Sequence, residues 1–554
     1  MAYDPGQYLT YAEMTAQLEI WTAAYPDLCH VAEIGRSAQG RAVWGITLTN
    51  QATGLDREKP GYLIDANVHA GELTAGAAAL YAIDWLLTQY GSDPVATAVL
   101  DTRAVYVIPR IAVDGVEFYL TTPHQLRSSP QLYPSSEAVP GLYPEDVNGD
   151  GHILQMRMVD PDGDWTADSQ DPRILVRRQP EDRDGGPYYR VFTEGLIRGW
   201  DGKGIPPVRR PWGLDFNRNY PAFWNPEGRQ PGAGAYPLSE PETRAVADFL
   251  VGHPNIGGYV SFHTTGCILL RPPSNGSDEK LNREDLESFK RIGEVCTRLT
   301  GYVCKSTYEA FSYPGQEALV KGADDWAYEH FGVHAYTCEL WSVDVRAGAR
   351  SYAKVGVKGL ISLSDEEILE DERKRMAWND FALGGRGFIP WTPFEHPQVG
   401  PVEIGGWDMK RCLTNPPEGP LLVEEISKAA SFTFQHALAL PQLAVTLSSE
   451  PLGGRLFKVS ARVRNLGGLA TRVTQAAVAM KTARPIEVGL VLGGGVRLVS
   501  GRATEEIGHL DGWLNVRGVS EAWVDWVVEG APGSNVSVSA FTPRAGRAAA
   551  DLTL

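Results

Sequence analysis

The stretch Tyr62-Leu63-Ile64-Asp65-Ala66-Asn67-Val68-His69-Ala70-Gly71-Glu72 decides how this chain is read. Its first five residues are mostly apolar and end at turn-forming residues, as expected of a buried strand. The run then delivers a histidine and a glutamate three positions apart, with Gly71 easing a tight turn between them. Outward from there, Ala75 to Tyr90 places Ala79, Leu80, Ile83, Leu86, Leu87 and Tyr90 on one face at helical spacing, and Ala104 to Pro109 reads as a second buried strand. Strand, helix and strand in that order predict an α/β unit with a mostly parallel sheet flanked by helices. In such sheets ligands gather in loops at strand ends, which is where His69 and Glu72 fall.

Two later runs finish the same way. Gly258-Tyr259-Val260-Ser261-Phe262-His263 closes in an imidazole, and Ala335-Tyr336-Thr337-Cys338-Glu339 closes in a carboxylate. Two imidazoles and one carboxylate form the donor set of a hydrolytic zinc site, with a fourth position open to water. The remaining glutamate is then available as proton acceptor for that water. No HExxH occurs, so the helical arrangement of two histidines is excluded. Between these runs lies Asp215-Phe216-Asn217-Arg218-Asn219-Tyr220. A guanidinium flanked by amides there can hold a carboxylate in bidentate fashion.

The chain has 554 residues, more than a single core usually serves. We expect a unit over 1–440, carrying a Pro-, Gly-, Asp- and Arg-rich insertion over about 128–213 of little periodicity, and an accessory unit over 441–554. Leu281 to Thr300 and Glu424 to Leu440 read as helices. After Pro441 the pattern turns to short alternating runs: Arg455 to Arg464, Val478 to Lys481, Glu487 to Leu492, Ala522 to Val528 and Val536 to Phe541. Separated by Gly, Asn and Pro turns, these predict an all-β sandwich.

A net charge of -17 argues against binding a phosphate backbone. The six cysteines form no CxxC pair, so free buried thiols are expected rather than a disulfide framework. The start shows neither the basic nor the apolar region of a secretory signal, and no apolar run is long enough to span a bilayer. A cytoplasmic location is the default expectation; oligomeric state is left open.

His69xxGlu72, then Asn217-Arg218, then His263 and Glu339 at strand ends, resembles the zinc carboxypeptidases of the funnelin family. Gly35-Arg36-Ser37-Ala38-Gln39-Gly40-Arg41 is similar to an opening element of those domains, Arg110-Ile111-Ala112-Val113-Asp114-Gly115 to an Asn-Pro-Asp-Gly element with its Asn-Pro replaced, and Asp325-Trp326-Ala327-Tyr328 to an Asp-Trp-x-Tyr element. The resemblance covers residues 8–438 and leaves the accessory unit out. It implies one zinc ion on His69, Glu72 and His263, Glu339 as general base, and a peptide substrate clamped at its terminal carboxylate by Asn217 and Arg218. It further implies an arginine at the scissile carbonyl, best matched by Arg127, with Arg157 as competitor. The substrate-capping tyrosine is matched first by Tyr313 and second by Tyr308.

Departures are Gly71 where digestive members carry arginine, and Thr264-Thr265 where they carry Ser-Tyr. No room is left before residue 8 for an inhibitory propeptide, which implies constitutive activity. Asp324 falls at the floor of the implied specificity pocket and would attract Lys or Arg side chains. A related acyl-amino-acid or cell-wall amidohydrolase and a silent peptide- or glycan-binding module are the alternatives. Within the insertion, Asp146-Val147-Asn148-Gly149-Asp150-Gly151 fits half of a calcium loop, with Arg157 where the bidentate glutamate belongs. Asp160, Asp162 and Asp164 are candidates to complete it, and turn formation is the competing role.

Overall fold

The structure, a computed structural model, describes residues 3–137, 139–179, 181–182, 185–312 and 322–554. An eight-stranded mixed sheet runs in the order Cys29–Arg36, Ala42–Leu48, Ala104–Ile108, Gly61–Ala66, Ile256–Thr264, His334–Leu340, Ile268–Arg271, Val303–Ser306. Its four middle strands, from Ala104–Ile108 to His334–Leu340, are mutually parallel, and helices cover both faces. On one face, Leu73–Gln89, Arg283–Thr300 and Pro420–Ala439 bury a layer that includes Ile64, Ala66, Val260, Phe262, Tyr336 and Cys338. Those residues alternate with Asp65, Ser261, His263, Thr337 and Glu339, and successive side chains on a strand point to opposite faces. The apolar set thus commits one face to the core and turns the polar set toward the other.

The region 128–213, whose composition shows little periodicity, nevertheless contains strands. Gln155–Val159, Trp165–Ala167, Leu175–Arg177 and Tyr188–Thr193 join Phe388–His396 and Gly400–Trp407 in a six-stranded antiparallel sheet. The partners come from more than two hundred residues downstream, as in the pairing of Arg157 with Glu403. Arg157 lies in this sheet, bonded to Glu403 at 2.8 Å with its guanidinium between the Tyr189 and Trp391 rings. Its part is packing.

Beyond Pro441, two four-stranded antiparallel sheets enclose a core including Val459, Val463, Trp526, Val528 and Val538. Val478–Lys481 is not a strand there: it holds the end of a short helix, Gln475–Ala479, and the turn that follows. Thr474 caps it by accepting from Ala477, while Asp285 of the large unit accepts from the amides of Gln475 and Ala476. That distant carboxylate satisfies amides that a helix start leaves open.

The accessory unit is welded to the larger one. Leu469 and Val473 belong to the main apolar layer, and Thr474 and Arg544 donate to the Gly332 carbonyl. A Cβ on Gly257, at the foot of the His263 strand, would come within 3.1 Å of Val473. All six cysteines are free thiols. No described helix is long and apolar enough to cross a membrane.

Candidate active site

Strand register brings the distant fragments together. His263 pairs directly with Glu339, and Ser261 with both Asp65 and Thr337. Past Ala66 the chain turns sharply at Asn67, whose φ of 53° suits asparagine better than most residues. That turn brings His69 and Glu72 back beside His263. The His69 Nδ1 lies 2.7 Å from Glu72 Oε1, the His263 Nδ1 lies 3.0 Å from Glu72 Oε2, and the two Nδ1 atoms are 3.2 Å apart. Among the described residues this is the one group of His, Cys, Asp and Glu donors able to hold a metal ion, its ligand atoms all within 4.8 Å of one another. All three side chains are buried.

Burial works against the charge on Glu72, yet the adjoining His69 and His263 rings hold its carboxyl well below the usual range. A buried carboxylate kept ionised between two Nδ1 atoms is a donor set suited to zinc. Asp215, quoted in the sequence only as a neighbour of the Asn-Arg pair, has a part of its own. Its Oδ1 sits 3.1 Å from His69 Nε2 and its Oδ2 accepts from Arg127 Nε at 3.0 Å. A carboxylate on Nε2 keeps the ring proton there and leaves the Nδ1 lone pair for a metal. The sequence signal was the need of each metal-binding imidazole for such a partner.

A single cavity is lined by His69, His263, Glu339, Arg127, Asn217, Arg218 and Asp324, together with Leu270, Thr307, Phe311, Gly322, Asp325 and Thr337. Arg127 also reaches Glu72 Oε1 at 3.3 Å. Asn217 accepts from the amide of Ala323 at 3.0 Å, which ties it to the helix start that carries Asp324. Burial, with the charge of Glu72 behind it, pushes the Glu339 carboxyl up to about 8, against the pull of His263 and Arg127. A carboxylate raised toward neutrality suits proton transfer near neutral pH. Asp324 is buried at the cavity wall and its carboxyl is raised by that burial.

Tyr313 lies outside the described residues. Tyr308, on the short helix Thr307–Phe311, does not line the cavity, whereas its neighbours Thr307 and Phe311 do. The Asp146 turn is spent on itself: its carboxylate accepts from Gly149, Asp150 and Gly151. Asp160 is engaged by Arg190 at 2.8 Å.

Comparison with known proteins agrees with this geometry. Residues 14–139 and 146–348 match the family described as zinc carboxypeptidase, and residues 443–553 match a domain of unknown function. Carboxypeptidase A2 of Mus musculus is 23% identical over 344 residues, 60% of this chain and 63% of that protein. Carboxypeptidase B2 of Bos taurus is 21% identical over 345 residues, again 60% of this chain and 63% of the relative. The chain thus spans just under two thirds of the length of these relatives. Among solved structures, thrombin activatable fibrinolysis inhibitor matches with a TM-score of 0.40 and 20% identity, covering 67% of this chain and 74% of that one. With more than half its length matched by one family model, and the ligand set gathered where that model runs, the chain belongs to the zinc carboxypeptidase family.

Proposed function

We propose that the protein is a zinc-dependent carboxypeptidase, hydrolysing the C-terminal peptide bond of peptides or peptide-like substrates. The observation that carries this reading is the convergence of His69, Glu72 and His263 at the edge of one cavity, which His69 and His263 line together with Glu339, Asn217 and Arg218. Zinc bound there would supply a Lewis acid and lower the pKa of the attacking water. Glu339 takes the proton of that water and returns it to the leaving amine. Arg127 lies on the cavity wall where it can stabilise charge growing on the scissile carbonyl oxygen. Asn217 and Arg218 hold the terminal carboxylate, which fixes the register of cleavage at the last residue.

The same reading extends to the side chain removed. None of the ion pairs among the described residues includes Asp324, which is buried and pushed toward its neutral form. A Lys or Arg side chain entering the cavity would restore and neutralise that charge, so we propose a preference for basic C-terminal residues. Glu339→Gln tests the core of the proposal: turnover of blocked dipeptides is lost while zinc is retained, and unchanged turnover rejects the assignment. Peptides ending in Arg, Phe and Glu test the preference, which a faster rate on Phe would sink.

A further inference from the structure

Glu72 occupies an awkward place in the fold. It is the N-cap residue of helix Leu73–Gln89, but its side chain makes no cap hydrogen bond, because the carboxylate is turned to His69 and His263. A helix start presents unpaired amides, from which a short side chain such as Ser, Asp or Asn ordinarily accepts. Here one residue cannot serve both the metal site and the helix. The vacancy is filled from 341 residues away: Asn415 Oδ1 accepts from the amide of Thr74 at 3.1 Å and from its hydroxyl at 3.0 Å. The Asn415 Nδ2 donates back to the carbonyl of Gly71 at 2.9 Å, inside the loop between His69 and Glu72. Asn415 is completely buried.

The segment around Asn415 touches the other two site loops as well. Thr264, directly after His263, shares its hydroxyl proton between the Leu340 carbonyl at 3.0 Å and the Thr414 carbonyl at 3.1 Å. Trp341, two residues after Glu339, donates its indole N–H to the Cys412 carbonyl at 3.3 Å. Further along, Glu425 accepts from the Trp341 amide at 3.0 Å. Four residues, Cys412 to Asn415, therefore bind all three loops that carry His69 and Glu72, His263 and Glu339. The strap leaves the six-stranded sheet at Trp407 and lies beyond the segment matched to the family.

We propose that Asn415 is a positioning residue for the metal centre. It caps the helix in place of Glu72, freeing that carboxylate for the metal, and its strap fixes the spacing of the ligand loops. This rests on zinc binding at His69, Glu72 and His263. The test measures zinc affinity by competition with a chromogenic chelator, beside thermal melting and kcat and KM of the zinc-saturated enzyme. Asn415→Ala should weaken zinc binding by about 10- to 100-fold, the range for residues that support metal ligands. On the zinc-saturated variant, kcat should fall while KM stays near the wild-type value, since Asn217 and Arg218 sit on another loop. A lower melting temperature with wild-type zinc affinity would show mere packing and overturn the proposal. If Asn415→Ala does not fold, Asn415→Asp decides, because it keeps an acceptor for Thr74 and removes the donation to the Gly71 carbonyl in the ligand loop: weaker zinc binding supports the proposal and wild-type affinity overturns it. Wild-type protein that binds no zinc would instead sink the reading of the site itself.

Discussion

The turn at Asp146–Gly151 and the turn at His69–Glu72 are both short, both hold glycine and both carry acids, yet only one gathers ligands. At Asp146 the carboxylate is consumed by amides of its own turn, and the neighbouring acids are exposed or paired with arginine. At Glu72 the local backbone takes nothing from the carboxylate; Asn415 supplies the helix cap, and the rings of His69 and His263 converge on the acid. A count of acidic residues therefore says little about metal binding. What matters is whether oxygens are left unspent by their own turn, and whether remote strands bring other donors within reach.

The sharpest way to break this contrast is Glu72→Ala. Removal of a ligand should weaken zinc by more than the ~100-fold upper range for supporting residues, while Asp146→Ala leaves zinc affinity unchanged; chelator competition reads both. Next in size, zinc at about a thousand times its dissociation constant should add ~4 kcal/mol to unfolding stability. Millimolar calcium should leave the melting temperature where it was, and a rise of several degrees would show that the Asp146 turn recruits the ion after all.

A third carboxylate sharpens the point. Glu242 is buried like Glu72, but among the described residues no ion pair includes it; one oxygen accepts from Ala38 at 3.3 Å and the other finds no partner there. Burial, then the charges of Asp114 and Glu240, push its carboxyl up from 4.5 to about 7. The folded state thus keeps a proton that the unfolded chain gives up. Stability present below pH 4.5 is lost as pH rises through 7. Glu242→Gln should be about 3 kcal/mol more stable than wild type at pH 8 and equal to it at pH 4, by urea denaturation. The smallest effect is expected at Asp146→Ala, which loses turn bonds exposed to water and should cost ~1 kcal/mol or less.

Much of the central sheet was legible because its strands are short apolar runs ending in polar residues, as at Tyr62–Ala66 and Gly258–His263. Helix Arg283–Thr300 was equally plain, with its Phe289, Ile292 and Cys296 stripe and Gly301 as its left-handed cap. The ligand fragments stood out for the same reason, since each lies at or just after the end of a strand. The six-stranded sheet was hidden because its pairs join residues such as Arg157 and Glu403, and no local window holds both. Val478–Lys481 misled because its helix is held by Asp285, a residue of the other unit. Asp215 carried a readable clue in its place beside Asn217, whereas Asn415 carried none: its partners are Thr74 and Gly71, and only folding brings them together.

The seam at Gly257, Leu469 and Val473 bears on how this protein can be engineered or inherited. Cutting the chain after residue 440 would not release a tidy enzyme. It would strip an oily wall from beneath the strand that ends in His263 and leave the Gly332 carbonyl without its two donors. Shortened versions should therefore be lost from the soluble fraction before any change in substrate choice could be seen.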